Sequence, residues 1–217
     1  MNLLAIETAT ESCSVALVHG DEVIARSELA PRRHAELVLP MADALLAEAG
    51  IGRHALDAIA VGRGPGAFTG VRLGVSLAQG MALALEAPDD DSDAAILAVI
   101  DARMGELYVA CYRRDGLGGL IALDDERVAT AGSLVLPPAE AWHVVGSGWA
   151  TYSDILGERL AGCVVRSAQG DRFPQAVHVA SLAVRECAAG RAQAPELALP
   201  VYLRDKVALT LAEQGRR

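Results

Sequence analysis

The chain has 217 residues, of which 52% are hydrophobic, so it carries enough apolar side chains for a compact core and does not have the composition of a disordered chain. Its formal net charge of -9 disfavours a protein that grips nucleic acid by itself, because phosphate binding requires a basic face. No apolar run approaches the roughly 20 residues of a membrane helix, and the N-terminus lacks the basic flank of a signal peptide, so we expect a cytoplasmic protein.

The first part of the chain predicts a three-stranded meander, a helix and one more strand. Short strands are predicted at residues 3–7, 13–18, 22–29 and 57–62. Apolar residues at spacings of three and four predict a helix over residues 34–49, which Gly50 ends. Three strands that meander from the first residue leave a face of the sheet free for helices.

A glycine-rich string follows the fourth strand and leads into a second helix. The string covers residues 63–70 and the helix covers residues 71–86, where apolar side chains surround nearly the whole circumference. Four aspartates within residues 89–93 then predict a loop or hinge, because like charges at this density disfavour ordered packing.

A second group of strands and helices is predicted beyond the acidic run. Strands are expected at residues 96–100 and 106–112 and before residue 146, and helices at residues 151–160 and 177–187. Strand clusters that alternate with helices, twice over, predict two α/β lobes. We assign residues 1–95 to the first lobe, with a contribution from the tail at 200–217, and residues 96–199 to the second lobe.

Five strings in this order resemble the TsaB (YeaZ) family nearly from end to end. They are Ile-Glu-Thr-Ala-Thr at 6–10, Arg-His-Ala-Glu at 33–36, Val-Gly-Arg-Gly-Pro-Gly-Ala-Phe-Thr-Gly-Val-Arg-Leu-Gly at 61–74, Ile-Asp-Ala-Arg-Met-Gly-Glu-Leu-Tyr at 100–108 and Pro-Val-Tyr-Leu-Arg at 200–204. The long glycine string is typical of the wider group that joins TsaB with its paralogue TsaD. The Asp-Ala-Arg-Met-Gly-Glu string points to TsaB.

The resemblance implies the two-lobed actin/Hsp70/sugar-kinase (ASKHA) fold, with mixed sheets flanked by helices. It also implies an accessory role in forming N6-threonylcarbamoyladenosine at position 37 of ANN-decoding tRNAs. In that system a TsaD-like subunit holds the metal and transfers the group, a TsaE-like P-loop ATPase joins, and the complex uses ATP. Because this chain is acidic, we expect it to reach tRNA only through the complex, and we expect it to bind no cofactor itself.

One departure from the family concerns the end of the first lobe. Family members continue after the second helix with another strand and helix, whereas here Pro88 leads straight into Asp89. Two explanations account for this difference: either the first lobe is shortened by a dozen or more residues, or the sequence omits a segment.

The family's fold draws attention to a degenerate nucleotide cleft. Glu7 stands where ATPases of this fold carry an aspartate, and Asp101 stands at the second phosphate hairpin, where two bulky residues follow it. Gly64 and Gly66 either cradle a phosphate at a helix N-terminus or allow a tight turn, and the string lacks the Gly-Lys-Ser/Thr of a P-loop. A Gly-Ser-Gly turn at residues 146–148 is weak evidence for an adenosine site. We expect a cleft that has lost its nucleotide chemistry.

Metal and protease chemistry find little support in the sequence. No two of the five histidines are spaced three or four residues apart, and no C-x-x-C pair occurs, so we expect no metal site. Ser12, Cys13 and Ser14 lie near Glu7 and could include a nucleophile only with a distant base. Small polar residues after a strand are more simply explained by turn chemistry.

The two helices of the first lobe, residues 34–49 and 71–86, are the predicted partner interface. A helix that is apolar on all sides must be buried on all sides, and one small lobe covers only part of it. The interface residues that we predict are Met41, Leu45, Gly74, Ala78, Met81, Ala82 and Leu85. The same patch would form a homodimer in the absence of the partner. Two alternatives stay open: an enzyme of this fold that acts alone, as a glycoprotease-like metal hydrolase or small kinase, and a protein that binds tRNA directly.

Overall fold

The computed structural model describes residues 1–62, 93–116, 119–194 and 197, and it contains two β-sheets that follow each other along the chain. The first sheet consists of β1 (Asn2–Glu7), β2 (Ser12–His19), β3 (Glu22–Leu29) and β4 (Ala58–Val61). Its strand order is β3-β2-β1-β4, in which β4 is parallel to β1 and the other pairs are antiparallel. The sheet therefore starts with the meander that the sequence predicts and adds one parallel strand after a helix.

Helices cover both faces of the first sheet. Helix α1 (His34–Glu48) packs on one face, against Leu4, Val15 and Leu17. The last described helix packs on the other face, against Leu3, Ala5, Ala16 and Val18. Because both faces are buried, β1 and β2 are apolar at successive positions and lack the alternation of a half-exposed strand.

The second sheet has six strands. They are β5 (Ala95–Arg103), β6 (Glu106–Arg114), β7 (Leu120–Ala122), β8 (Arg127–Thr130), β9 (Ala141–Val145) and β10 (Val164–Gln169). The order is β10-β9-β5-β6-β7, and β8 also pairs with β6. Strands β10, β9 and β5 run parallel, and helix α2 (Ser147–Arg159) forms the crossover between β9 and β10. The hydrophobic core between this sheet and α2 contains Val99, Leu107, Trp142 and Leu156.

The predicted fold class, mixed sheets flanked by helices, is confirmed. Helix α2 begins four residues earlier than predicted, and the sequence did not indicate the short strands β7 and β8 or the exposed strand β10. The glycine string, the helix predicted over residues 71–86 and the tail at 200–217 lie outside the described residues.

Helix α3 (Ala176–Ala188) returns the chain to the first sheet. These residues belong to the range assigned to the second lobe from sequence, yet their apolar side chains contact β1 and β2. The lobe boundaries at 95 and 199 stay a prediction, because α3 follows the second sheet in the chain but packs on the first sheet.

Within the described ranges, no helix is both long enough and apolar enough to cross a membrane.

Candidate functional site

The turns that follow β1 and β5 meet between the two sheets. The β1–β2 turn contains Glu11, Arg103 is the last residue of β5, and the two side chains form an ion pair. We call this region, residues 7–11 and 101–105, the junction. It contains both predicted cleft carboxyl groups, Glu7 and Asp101.

Glu7 ends β1 and is completely buried. Its Oε1 accepts a hydrogen bond from the backbone N–H of Ala9 at 2.8 Å. Beside it, the backbone N–H of Gly62 donates to the carbonyl of Ile6 at 2.7 Å, and a Cβ at Gly62 would lie 2.5 Å from the Cδ of Glu7. The Glu7 side chain therefore fills the space that any larger residue at position 62 would need.

Both carboxyl oxygens of Asp101 accept hydrogen bonds from Arg103. Its Oδ1 accepts from the backbone N–H of Arg103 at 2.8 Å, and its Oδ2 accepts from Nη1 of the same residue at 3.1 Å. Nη2 of Arg103 donates to Oε1 of Glu11. The guanidinium thus lies between two carboxylates, and these negative groups disfavour the approach of a phosphate at this point.

The Gly-Ser-Gly turn at residues 146–148 serves helix packing. A Cβ at Gly148 would lie 2.6 Å from Cδ2 of Leu107 and 3.0 Å from Cβ of Val99, so the glycine lets the first turn of α2 approach the sheet. Ser147 Oγ accepts a hydrogen bond from the backbone N–H of Asp101 at 3.1 Å. The glycine at 148 is therefore explained without a nucleotide.

Ser12 and Ser14 attach α3 to the first sheet. Ser14 Oγ accepts from the backbone N–H of Ala176 at 2.9 Å, and Ser12 Oγ accepts from Nε2 of Gln175 at 3.3 Å. Both serines are buried. The backbone N–H groups at a helix start need acceptors, and here a strand from the other end of the chain supplies one. These contacts give both hydroxyls a structural role, which the sequence could indicate only as turn chemistry.

Two cysteine thiols, one in β2 and one in β6, are shielded from solvent by burial. Cys13 and Cys111 are buried and free. Burial raises the pKa of the Cys13 thiol, and it raises the pKa of the Cys111 thiol to about 12, with a further contribution from Asp124. Since the thiolate is the reactive form, neither side chain has the properties of an activated nucleophile.

Two of the predicted interface residues, Met41 and Leu45, lie on helix α1 in the described part of the chain, and they differ in burial. Leu45 is completely buried against its own sheet, so its prediction as an interface residue is wrong: the apolar stripe of α1 covers β2. Met41 is half-buried beside the same cluster, whereas Leu39 is 63% exposed. Leu39 is not among the interface residues predicted from the sequence, although it is the more exposed of the two. The remaining predicted residues lie outside the described part of the chain: Gly64, Gly66, Gly74, Ala78, Met81, Ala82 and Leu85.

Possible metal ligands do not cluster in the described part of the chain. There, no group of three or more His, Cys, Asp and Glu side chains is arranged so that it could hold a metal ion.

Comparison with known proteins extends the resemblance over nearly the whole chain. The chain is 38% identical to "tRNA threonylcarbamoyladenosine biosynthesis protein TsaB" of Escherichia coli K12, with 96% of each chain covered, and 34% identical to the protein of the same name from Haemophilus influenzae, with 95% of each covered. Its fold is similar to that of YeaZ from Pseudomonas aeruginosa, with a TM-score of 0.80 and 37% identity over 93% of this chain and 99% of that one.

Two details of the comparisons bear on the first lobe. Residues 22–89 match the family described as "TsaD: tRNA N6-adenosine threonylcarbamoyltransferase". The alignment with the Escherichia coli protein runs over 226 positions, more than the 217 residues of this chain, so that relative has residues that this chain lacks. The shortening of the first lobe stays a prediction.

Proposed function

The chain belongs to the TsaB family, and we propose that it is a non-catalytic subunit in the biosynthesis of threonylcarbamoyladenosine on tRNA. In this proposal it pairs with a TsaD-like catalytic subunit, and a TsaE-like P-loop ATPase joins the pair. The complex uses ATP and modifies position 37 of ANN-decoding tRNAs in the cytoplasm. This chain binds no cofactor itself and contacts tRNA only through the complex.

The observation that carries the proposal is the bonding within the junction. Arg103 pairs with Asp101 and Glu11, so charged groups at the place of a nucleotide cleft bind each other. Ser12 and Ser14, the nearby hydroxyls, hold a helix. Groups that could perform chemistry are thus used to hold the molecule together, which favours a supporting subunit over an enzyme that acts alone. We propose that Glu7 and Asp101 are remnants of a nucleotide site.

The segment that matches the TsaD family supports the choice of partner. Residues 22–89 include α1 and the helix predicted over residues 71–86. When two related chains carry the same pair of helices, the pairs can pack on each other about a pseudo-two-fold axis, and two copies of one chain can do the same. We propose that the partner contacts α1, on which Leu39 is exposed and Met41 is half-buried. The other contacts proposed are Gly74, Ala78, Met81, Ala82 and Leu85.

Reconstitution tests the proposed role. The purified chain, the TsaD-like and TsaE-like proteins of the same organism, tRNA, ATP and the threonylcarbamoyl donor are combined, and each protein is omitted in turn. We expect modified tRNA only when this chain and its partners are all present, and no ATP hydrolysis by this chain alone. Robust turnover by the isolated chain would favour the independent enzyme. Tight, steeply salt-dependent binding of tRNA by the isolated chain would favour direct recognition.

One exposed leucine and one exposed valine, on different lobes, allow a matched test of the interface. Leu39→Glu places a charge on α1, and Val135→Glu places the same charge on the second lobe, where Val135 is 77% exposed. Both variants should stay folded, because water solvates the new carboxylate. Leu39→Glu should abolish the heterodimer in size-exclusion chromatography, since an unpaired buried carboxylate is strongly unfavourable, and Val135→Glu should not. Ala78→Glu tests the predicted second helix in the same way. Normal pairing of both first-lobe variants would place the interface elsewhere.

A further inference from the structure

Every carboxylate of helix α1 is bound by an arginine from outside the helix. The closest N–O distances are 2.8 Å for Glu48 with Arg26, 3.3 Å for Glu36 with Arg33 and 2.6 Å for Asp43 with Arg53. Asp43 is bound most completely, because both of its oxygens accept from the guanidinium of Arg53. The helix itself contains no lysine or arginine. Its negative charges are therefore neutralised by neighbouring segments of the chain.

Two of these pairs lie on either side of the exposed Leu39. Residues three and four positions apart are neighbours on a helix, so Glu36, Leu39 and Asp43 form one row along α1. The Leu39 side chain is exposed, and Pro40 and Ala47 near the row are exposed as well. The row thus presents an apolar side chain between two carboxylates that already have partners.

The arginines reach the row without covering it. A carboxylate on a helix is often neutralised by a lysine or arginine four residues further on. Here that position holds Pro40 after Glu36 and Ala47 after Asp43, both with small side chains. The guanidinium groups come instead from the residue before the helix and from the short turn Arg53–Ala55. This arrangement pairs the carboxylates and leaves the exposed side of α1 free of long cationic side chains.

Stability of the lobe does not account for the pair of Arg53 and Asp43. Both side chains are more than half exposed, and exposed ion pairs contribute little to the free energy of unfolding. At an interface the same pair has a larger effect, because a carboxylate that loses water without gaining a partner is strongly unfavourable. The pairing therefore has its greatest consequence when another surface covers this side of α1.

We propose that Arg33 and Arg53 determine which partner α1 accepts, because they make the surroundings of Leu39 electroneutral. The row then fits the apolar face of a helix in the TsaD-like subunit, and it offers no free carboxylate to a basic surface. This inference rests on the function proposed above and adds the residues that set the specificity of its interface.

Isothermal titration calorimetry of the full chain with the TsaD-like protein of the same organism tests the role of Arg53. We expect Arg53→Gln to weaken the heterodimer about tenfold or more, because Asp43 loses its partner within the interface. Adding Asp43→Asn to this variant should restore most of the affinity, since the charge that needed a partner is gone. If Arg53 instead contacts the TsaD-like protein directly, the double variant stays as weak as Arg53→Gln, and the inference is overturned.

Arg191→Gln is the matched control. Arg191 is also exposed and binds Glu186 through two nitrogens, at 2.6 and 2.7 Å, but it follows α3, which lies on the opposite face of the first sheet from α1. This variant should bind the TsaD-like protein as the unaltered chain does. Thermal melts of all variants should overlap with that of the unaltered chain. A lower melting temperature of Arg53→Gln alone would show that the pair serves stability, and it would overturn the inference.

Salt tests the neutrality of the interface. Between about 0.05 and about 0.5 M salt the screening length falls from roughly 14 Å to roughly 4 Å, and the heterodimer should weaken by no more than about twofold. A steep loss of affinity would reveal attraction between charges across the interface and would overturn the inference.

Leu39→Glu separates this inference from the proposed function. If Leu39→Glu abolishes the heterodimer and Arg53→Gln leaves it unchanged, the interface is correct and the role of the arginine is wrong. If the unaltered chain does not bind the TsaD-like protein at all, the proposed function fails, and the inference fails with it.

Discussion

Replacement of Gly62 by alanine should damage the first lobe through Glu7. The new Cβ would lie 2.5 Å from the Cδ of Glu7, a separation that folded proteins do not tolerate, so the buried side chain must move. An added methyl group in a packed interior is destabilising by about 1–3 kcal/mol. Loss of the bond from the N–H of Ala9 to the Glu7 carboxyl leaves a buried donor unsatisfied and adds about 1–3 kcal/mol. The expected loss is therefore about 2–6 kcal/mol in the free energy of unfolding.

Urea and thermal denaturation, followed by circular dichroism, measure this loss. A loss of this size lowers the melting temperature by about 10 °C in a chain of this length. Gly52→Ala is the control, because nothing lies within 4 Å of its Cβ position and its φ of -92° suits alanine. We expect this control to change the free energy of unfolding by less than about 0.5 kcal/mol.

A double variant separates the clash with Glu7 from other effects at position 62. Glu7→Ala removes the side chain that the new methyl group would meet. If the clash is the cause, Gly62→Ala should be milder by at least about 1 kcal/mol in the Glu7→Ala background than in the unaltered chain. The reasoning is refuted if the two losses simply add, or if Gly62→Ala is as harmless as Gly52→Ala.

Three further predictions concern the core, the helix attachment and the buried thiol. Leu45→Ala should lower the free energy of unfolding by about 2–5 kcal/mol in urea titrations, whereas Leu39→Ala should leave it nearly unchanged; equal losses would contradict the burial of Leu45. Ser14→Ala removes the acceptor of the Ala176 N–H and should be destabilising by about 1–3 kcal/mol, with faster hydrogen exchange at that amide; unchanged exchange would argue against the contact. Burial raises the pKa of Cys111 from 9.0 to about 12, so the unfolded state loses this proton at a lower pH than the folded state does. Stability should therefore fall as pH rises from 9 towards 12, and Cys111→Ala should show a smaller fall in urea titrations at pH 8 and 11.

The sequence predicted elements wherever local pattern determines them. The period of three and four in α1 and the short apolar runs of β1 and β2 gave the helix and strands of the first lobe close to their observed bounds. The motif strings then connected these elements to a known fold. Strands such as β10, which is mostly exposed and short of apolar residues, carry no comparable signal.

The candidate site was harder to predict because its contacts join distant positions. Glu7 and Asp101 were predicted from their positions in the family's fold, but nothing local shows that Arg103 would bind Glu11. Periodicity indicates that Leu45 lies on an apolar stripe, and it does not tell whether a sheet or a partner covers that stripe. The bonds of Ser14 to a helix 162 residues away are likewise set by topology rather than by local sequence.

The position of α3 determines when the first lobe can be completed during protein synthesis. The face formed by Leu3, Ala5, Ala16 and Val18 leaves the ribosome first, but residues 176–188, which cover it, are made after the entire second sheet. Domains usually fold in the order in which they are translated. Here the N-terminal sheet must wait with an apolar face uncovered, and a nascent chain that is released early would expose this face to other chains in the cell. The first lobe to be translated is therefore the last to be finished.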